Sequence, residues 1–287
     1  MAIICSEAKE SLGRGVVAAL VSHVMAFDLL VLRPAPLHSE LARASTLARS
    51  AAESGSLVLL IEPAHAAWLF STAGRPDTGL FLPEDHLYCD WLLSYPGLLR
   101  TLQADYATLI SWRNRLLQNL AGARSVHLTT LAGTDLWLEV GRWEVQDGEV
   151  CTSPKLAGAS GRLVVDGSLF GGPPRRPFTL ELVDGRVANL GALDRSDRQQ
   201  RFLFDDLTRD GNACLVAELG LGTNPCARPD ADIMEAEMAR GTAHIGFGES
   251  RFLGGTVASA THVDVGLLRP TLVADTRVIC CSGEYGL

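Results

Sequence analysis

The chain has 287 residues, of which 47% are hydrophobic and 20% charged. Its formal net charge is −8 and its pI is near 5.4. That length suits one large or two modest domains around a real core, and the acidic balance argues against a nucleic-acid partner, which needs a basic face.

The N-terminus, Met1 to Glu7, has no basic segment leading into an apolar one, so no signal peptide is expected. The apolar stretches at 16–20 and 57–61 are far too short to span a bilayer. A cytoplasmic protein acting on a peptide or small molecule, with no membrane partner, is the expectation. Seven cysteines are scattered without a C-x-x-C pair, which reads as reduced thiols. Cys280 and Cys281 are adjacent, and on a strand they would face opposite ways.

In chain order, Ser6 and Glu10 with Val16, Val17, Leu20 and Val24 predict a helix over 6–26. A short strand follows at 28–33, an Ala-rich helix at 38–53 and a buried strand at 57–61, stopped by Glu62-Pro63. Another helix is expected over 64–72 and a long one over 95–121. Past residue 122 strands take over, at 125–129, 135–140, 161–165, 178–182, 213–219, 242–246 and 262–267. Turn residues separate them, and Asp184-Gly185 reads as a hairpin. The fold class expected is α+β. A small α/β region over 1–122 precedes a mainly β domain over 123–287.

Several polar residues interrupt the apolar strands of the second half. His262 and Asp264 lie two apart and so project from one side of a strand. Glu218 sits in an apolar run followed by Gly220 and Gly222, and His244 lies among small residues before Gly246 and Gly248. Glu149 follows the Asp147-Gly148 turn. Each alone has an ordinary explanation as a core histidine or an edge carboxylate. Together they are the donor types that borderline divalent metals prefer. A buried charge is costly unless it is paired or holds a metal.

Competing motifs are absent or weak. Gly246-Phe247-Gly248 falls short of a dinucleotide fingerprint, and there is no Walker A motif and no G-x-S-x-G elbow. Asp205-Asp206, and Asp230 with Asp232, read as solvated loops. His86 reads as a surface residue. The five tryptophans form no stripe.

Five ordered segments carry a resemblance. They are GTDL (133–136), GEVCTSP (148–154), AELGLGTNP (217–225), GTAHIGFGES (241–250) and THVD (261–264). They resemble the aminopeptidase T and aminopeptidase S family of metallopeptidases over roughly residues 125–285. The resemblance implies a mainly β catalytic domain holding two divalent metals, zinc, cobalt or manganese. It implies Glu149, Glu218, His244, His262 and Asp264 as ligands, with Glu149 or Glu218 serving instead as general base. It also implies a homodimer. Arg251 stands where the family carries a tyrosine, seven residues after the G-T-x-H histidine, and a clamp on a substrate carboxylate is the role expected for it.

The same fold resembles the 2,5-dihydroxypyridine ring-cleaving dioxygenases, which hold one Fe(II). Three readings follow. The first is a metal-dependent aminopeptidase-like hydrolase. The second is a non-catalytic peptide-binding descendant serving a biosynthetic pathway. The third is an Fe(II) dioxygenase.

Overall fold

The computed structural model describes residues 103–286 apart from 147, three strands at 2–6, 28–32 and 58–61, and the single positions 46, 97, 100 and 101. By contacts the chain divides into two units, Met1–Leu98 and Leu99–Leu287. In the first, β1 (Ala2–Ser6), β2 (Asp28–Leu32) and β3 (Val58–Ile61) form a parallel sheet in the order β2-β1-β3. Parallel strands of one sheet need long crossovers, and the connections of residues 7–27 and 33–57 have the length for them. The strands expected at 28–33 and 57–61 are there. β1 was not anticipated, because Ser6 was read as the start of a helix. The helices expected over 6–26, 38–53 and 64–72 lie outside the described residues.

The second unit opens with α1 (Tyr106–Leu120), whose N-cap Asp105 accepts a hydrogen bond from the Thr108 amide at 3.1 Å. Its buried Leu116 and Leu120 join the main core, and the helix packs on the strands that follow. The division by contacts therefore falls ahead of this helix, whereas the change of composition at 122 falls behind it.

One antiparallel sheet organises the rest. β4 (Ser125–Thr129), β5 (Asp135–Gln146), β6 (Glu149–Val165), β9 (Val216–Gly222), β10 (Thr242–Gly248) and β11 (His262–Leu268) are joined by β12 (Thr271–Ala274), β13 (Arg277–Cys281) and β14 (Glu284–Tyr285). Their order is β11-β10-β9-β6-β5-β4-β12-β13-β14. β7 (Phe178–Val183) branches from β6 and pairs with β8 (Arg186–Val187) through the expected Asp184-Gly185 turn. Both turn residues have positive φ, 48° and 76°, which matches the right-handed twist of the hairpin. Among the described residues no helix is long and apolar enough to cross a membrane.

Alternation sets the core. Val126, Leu128, Leu136 and Leu138 point inward from β4 and β5, and Leu219, Leu221, Ile245, Phe247, Val265 and Leu267 from β9 to β11. β9 and β10 are buried along their whole length, so their second face is covered too. A bulge interrupts the β9–β10 ladder where Gly246 faces Glu218 but Phe247 faces Val216. The extra residue, Ala217, returns Val216 to the core beside Glu218. Among the described residues Phe247 is the largest fully buried side chain. Its replacement in Phe247→Ala is expected to cost about 3–5 kcal/mol, measured as a lower urea midpoint at unchanged slope.

Candidate metal centre

The face of the sheet opposite this core carries the polar outliers. Register places them in rows across strands. One row reads Cys151, Gly220, His244, Gly266, and the next reads Glu218, Gly246, Asp264. His262 lies opposite Gly248, and Glu149 opposite Gly222. Neighbours within a row are only about 5 Å apart, so bulky residues there would fill the space between strands. Instead, side chains with oxygen, nitrogen or, at Cys151, sulfur alternate with glycine.

Two triads result, Glu149–Glu218–His244 and Glu218–His262–Asp264. In the first, His244 Nε2 is 3.3 Å from Glu149 Oε2 and 3.5 Å from Glu218 Oε1. In the second, His262 Nε2 is 3.2 Å from Glu218 Oε2 and 3.3 Å from Asp264 Oδ1. The two oxygens of Glu218 thus face different triads, and the carboxylate sits between them. All five residues that the resemblance implied as ligands are brought together.

The glycines make the room. A Cβ on Gly220 would overlap the His244 ring, and one on Gly246 would lie 2.6 Å from Asp264 Oδ1 and 2.9 Å from both Glu218 Cβ and His262 Cε1. Each triad therefore stands over one glycine. Three carboxylates face two imidazoles in a buried setting, an excess of negative charge that a divalent cation would balance. Asp264 Oδ1 is buried and accepts no hydrogen bond among the described residues, as expected of an oxygen kept for an ion. The donor set of oxygens and imidazoles fits a divalent metal.

Electrostatics inside the cluster follows from these distances. Burial opposes ionisation of Glu218, but hydrogen bonds and charge from His244 and His262 outweigh it and hold the carboxyl at about 2. Desolvation likewise opposes the His262 imidazolium, yet Asp264 and Glu218 raise it well above the usual value of 6.5.

Cys151 was read only as a reduced thiol. It lies two residues from Glu149 on the same face, and burial together with the charges of Glu149 and Glu218 pushes the thiol well up. The signal in the sequence was the i, i+2 spacing from Glu149. Arg251 takes a different place from the five. It forms a bidentate pair with Glu249, at 2.8 and 2.9 Å, and its side chain is 65% exposed. Glu249 was not singled out from sequence. Its backbone carbonyl lies 2.7 Å from His262 Nδ1. Cys280 is buried and Cys281 exposed, as their adjacency on a strand required.

A mainly β sheet bearing two carboxylate–imidazole triads is the class of protein that fold and site define. No protein-family model and no curated protein matches the sequence. Solved structures do match. The 2,5-dihydroxypyridine dioxygenase of Pseudomonas putida superposes with a TM-score of 0.70 at 18% identity, over 99% of this chain and 90% of that one. Wild-type AmpT from Thermus thermophilus superposes with a TM-score of 0.63 at 14% identity, over 100% of this chain and 94% of that one. At these identities the likeness is one of fold, and it is the fold that the five sequence motifs had indicated.

Two outcomes are expected here. Gly246→Ala retains strand content by circular dichroism but binds zinc at least about 10-fold more weakly in equilibrium dialysis, because the methyl group displaces Asp264 and His262. The second concerns pH in metal-free protein. Glu218, held down, stabilises the fold above about pH 4.5, and that stabilisation is lost as pH falls toward 2. His262, held up, stabilises it fully below about pH 6.5, and that is lost as pH rises through the raised value. With chelator present, the melting-temperature gap between wild type and His262→Gln is widest near about pH 6 and shrinks as the pH is raised through the raised value. A gap that widens with alkalinity contradicts the assignment.

Proposed function

We propose that the chain is a metal-dependent hydrolase of the aminopeptidase type, cutting a peptide or amide bond. The observation that carries this reading is the placement of Glu218, one oxygen toward each triad. That arrangement suits a carboxylate shared by two ions, and zinc, cobalt and manganese accept these donors. The resemblance in five motifs and the likeness of fold to AmpT support the same reading. A cytoplasmic homodimer is part of the proposal through that resemblance.

Bound divalent ions polarise a carbonyl and lower the pKa of water to about 7. The protein's own residues do the rest. Glu218, His244, His262 and Asp264 hold the donors in place on rigid strands. Glu218 is committed to both histidines, so Glu149 is assigned to proton transfer: it takes the proton of the attacking water and passes it to the leaving amine. Burial of the cluster strengthens every charge interaction in it.

An Fe(II) dioxygenase of the facial-triad kind needs two histidines and one carboxylate around one ion. Each triad found among the described residues has one histidine and two carboxylates, which favours the hydrolase. Metal analysis of protein purified without chelator, combined with aminoacyl-anilide turnover, tests the choice. Zinc, cobalt or manganese with turnover supports the hydrolase. Iron with oxygen uptake on a dihydroxypyridine replaces it with the dioxygenase. A metal-free protein that binds peptide tightly replaces it with the non-catalytic binder. In the hydrolase, Glu149→Gln lowers kcat by about 10²–10⁴-fold while the first equivalent of metal is retained.

A further inference from the structure

The two triads offer the same donor types, two carboxylates and one imidazole each, and share Glu218. With Glu149 given to proton transfer the first triad keeps fewer committed ligands, but residue types alone do not distinguish the two. Their surroundings do. His262 Nδ1 lies 2.7 Å from the Glu249 carbonyl. A carbonyl only accepts, so Nδ1 carries the hydrogen, and in the neutral ring the lone pair of Nε2 faces Glu218 and Asp264. The tautomer and the ring orientation needed of a ligand are thus set in advance. Phe252 adds an edge contact to the ring, with centroids 5.0 Å apart.

Glu249 is itself held on every side. Its amide donates to Thr261 O at 2.7 Å, across the ladder from its own carbonyl contact. Its carboxylate accepts from the Arg251 amide at 2.9 Å, from the Arg251 guanidinium through both oxygens, and from the Ser259 amide at 3.1 Å. The clasp closes the 249–261 loop and fixes the carbonyl on which His262 leans. His244 has no such support. Its Nε2 faces Glu149 and Glu218, but its buried Nδ1 makes no hydrogen bond among the described residues.

We propose that the Arg251–Glu249 clasp positions His262, and that it makes Glu218–His262–Asp264 the tighter of two unequal metal sites. The inference rests on the hydrolase reading only in requiring that the triads bind metal. Support of a ligating histidine through its other nitrogen is worth about 10–100-fold in metal affinity. The supported site is also the more accessible one, with the His262 side chain 22% exposed against 2% for His244, so it is the site that fills first. Arg251 and Glu249 are positioning residues here. They act on the ion only through the backbone and His262.

The test is a cobalt(II) titration of the chelator-stripped full chain, followed by calorimetry and by the visible spectrum of bound cobalt. Wild type is expected to bind in two steps, the first at least about 10-fold tighter. His262→Ala removes the tight step and His244→Ala the weak one. Glu249→Ala and Arg251→Ala, breaking the clasp from either end, weaken the first step by about 10–100-fold, alter its visible bands and leave the second step in place. Glu249→Gln, which keeps an oxygen for Arg251, restores part of the loss. Two equal steps with anilide turnover intact overturn this inference alone. Loss of the tight step in His244→Ala but not in His262→Ala also overturns it. Absence of cobalt binding overturns it together with the hydrolase reading.

Discussion

The structure turns on a concentration of negative charge that is buried at Glu149, Glu218 and His244 and meets water only toward His262 and Asp264. Three carboxylates and two imidazoles meet on one face of a sheet whose strands are otherwise apolar. Placing them there is unfavourable unless the charges are balanced, and the imidazoles balance them only in part. The raised His262 and the lowered Glu218 are the response of the cluster without a cation: protons stay on the imidazole and leave the carboxyl. A divalent ion would take over that role and release protons as it binds.

What makes the cluster affordable to the fold is the other face of the same strands. Phe247, Ile245, Leu219 and Val265 anchor β9 to β11 in the main core, so the ligands stand on a rigid platform and not on loops. The bulge at Ala217 lets Val216 and Leu219 both remain in that core while Glu218 projects from the site face. Gly220 and Gly246 finish the design, because any larger residue would occupy the space between the donors.

Parts of this were legible in the sequence, and the reason is period. His262 and Asp264 declare their common side through i, i+2 spacing, and Glu218 and His244 stand out because charge interrupts runs of Leu, Ile and Val. The strands at 125–129, 135–140, 178–182, 242–246 and 262–267 were readable for the same reason, whereas β6 begins at Glu149, well ahead of the 161–165 expected, and β9 runs over 216–222 where 213–219 was expected. Cross-strand register was not, since it depends on pairing between residues far apart along the chain. That is why the opposition of Gly220 to both Cys151 and His244 came only with the structure, and why Cys151 was taken as an ordinary thiol. Glu249 was invisible for a further reason: it meets His262 through a backbone carbonyl, which every residue type possesses. Arg251 is conspicuous as a charge at a tyrosine position, but its pairing with Glu249 two residues back depends on the loop conformation and not on a periodic pattern. The strands β12 to β14 escaped notice because they are short and split by turns.

The account stands on Glu218 serving two ions at once. Anomalous diffraction from crystals grown with zinc, recorded on either side of the zinc absorption edge, tests this directly. The account predicts two zinc peaks about 3.5–4 Å apart, flanking the Glu218 carboxylate with one oxygen toward each. A single peak bound away from Glu218, or none at all among the five side chains, would contradict it.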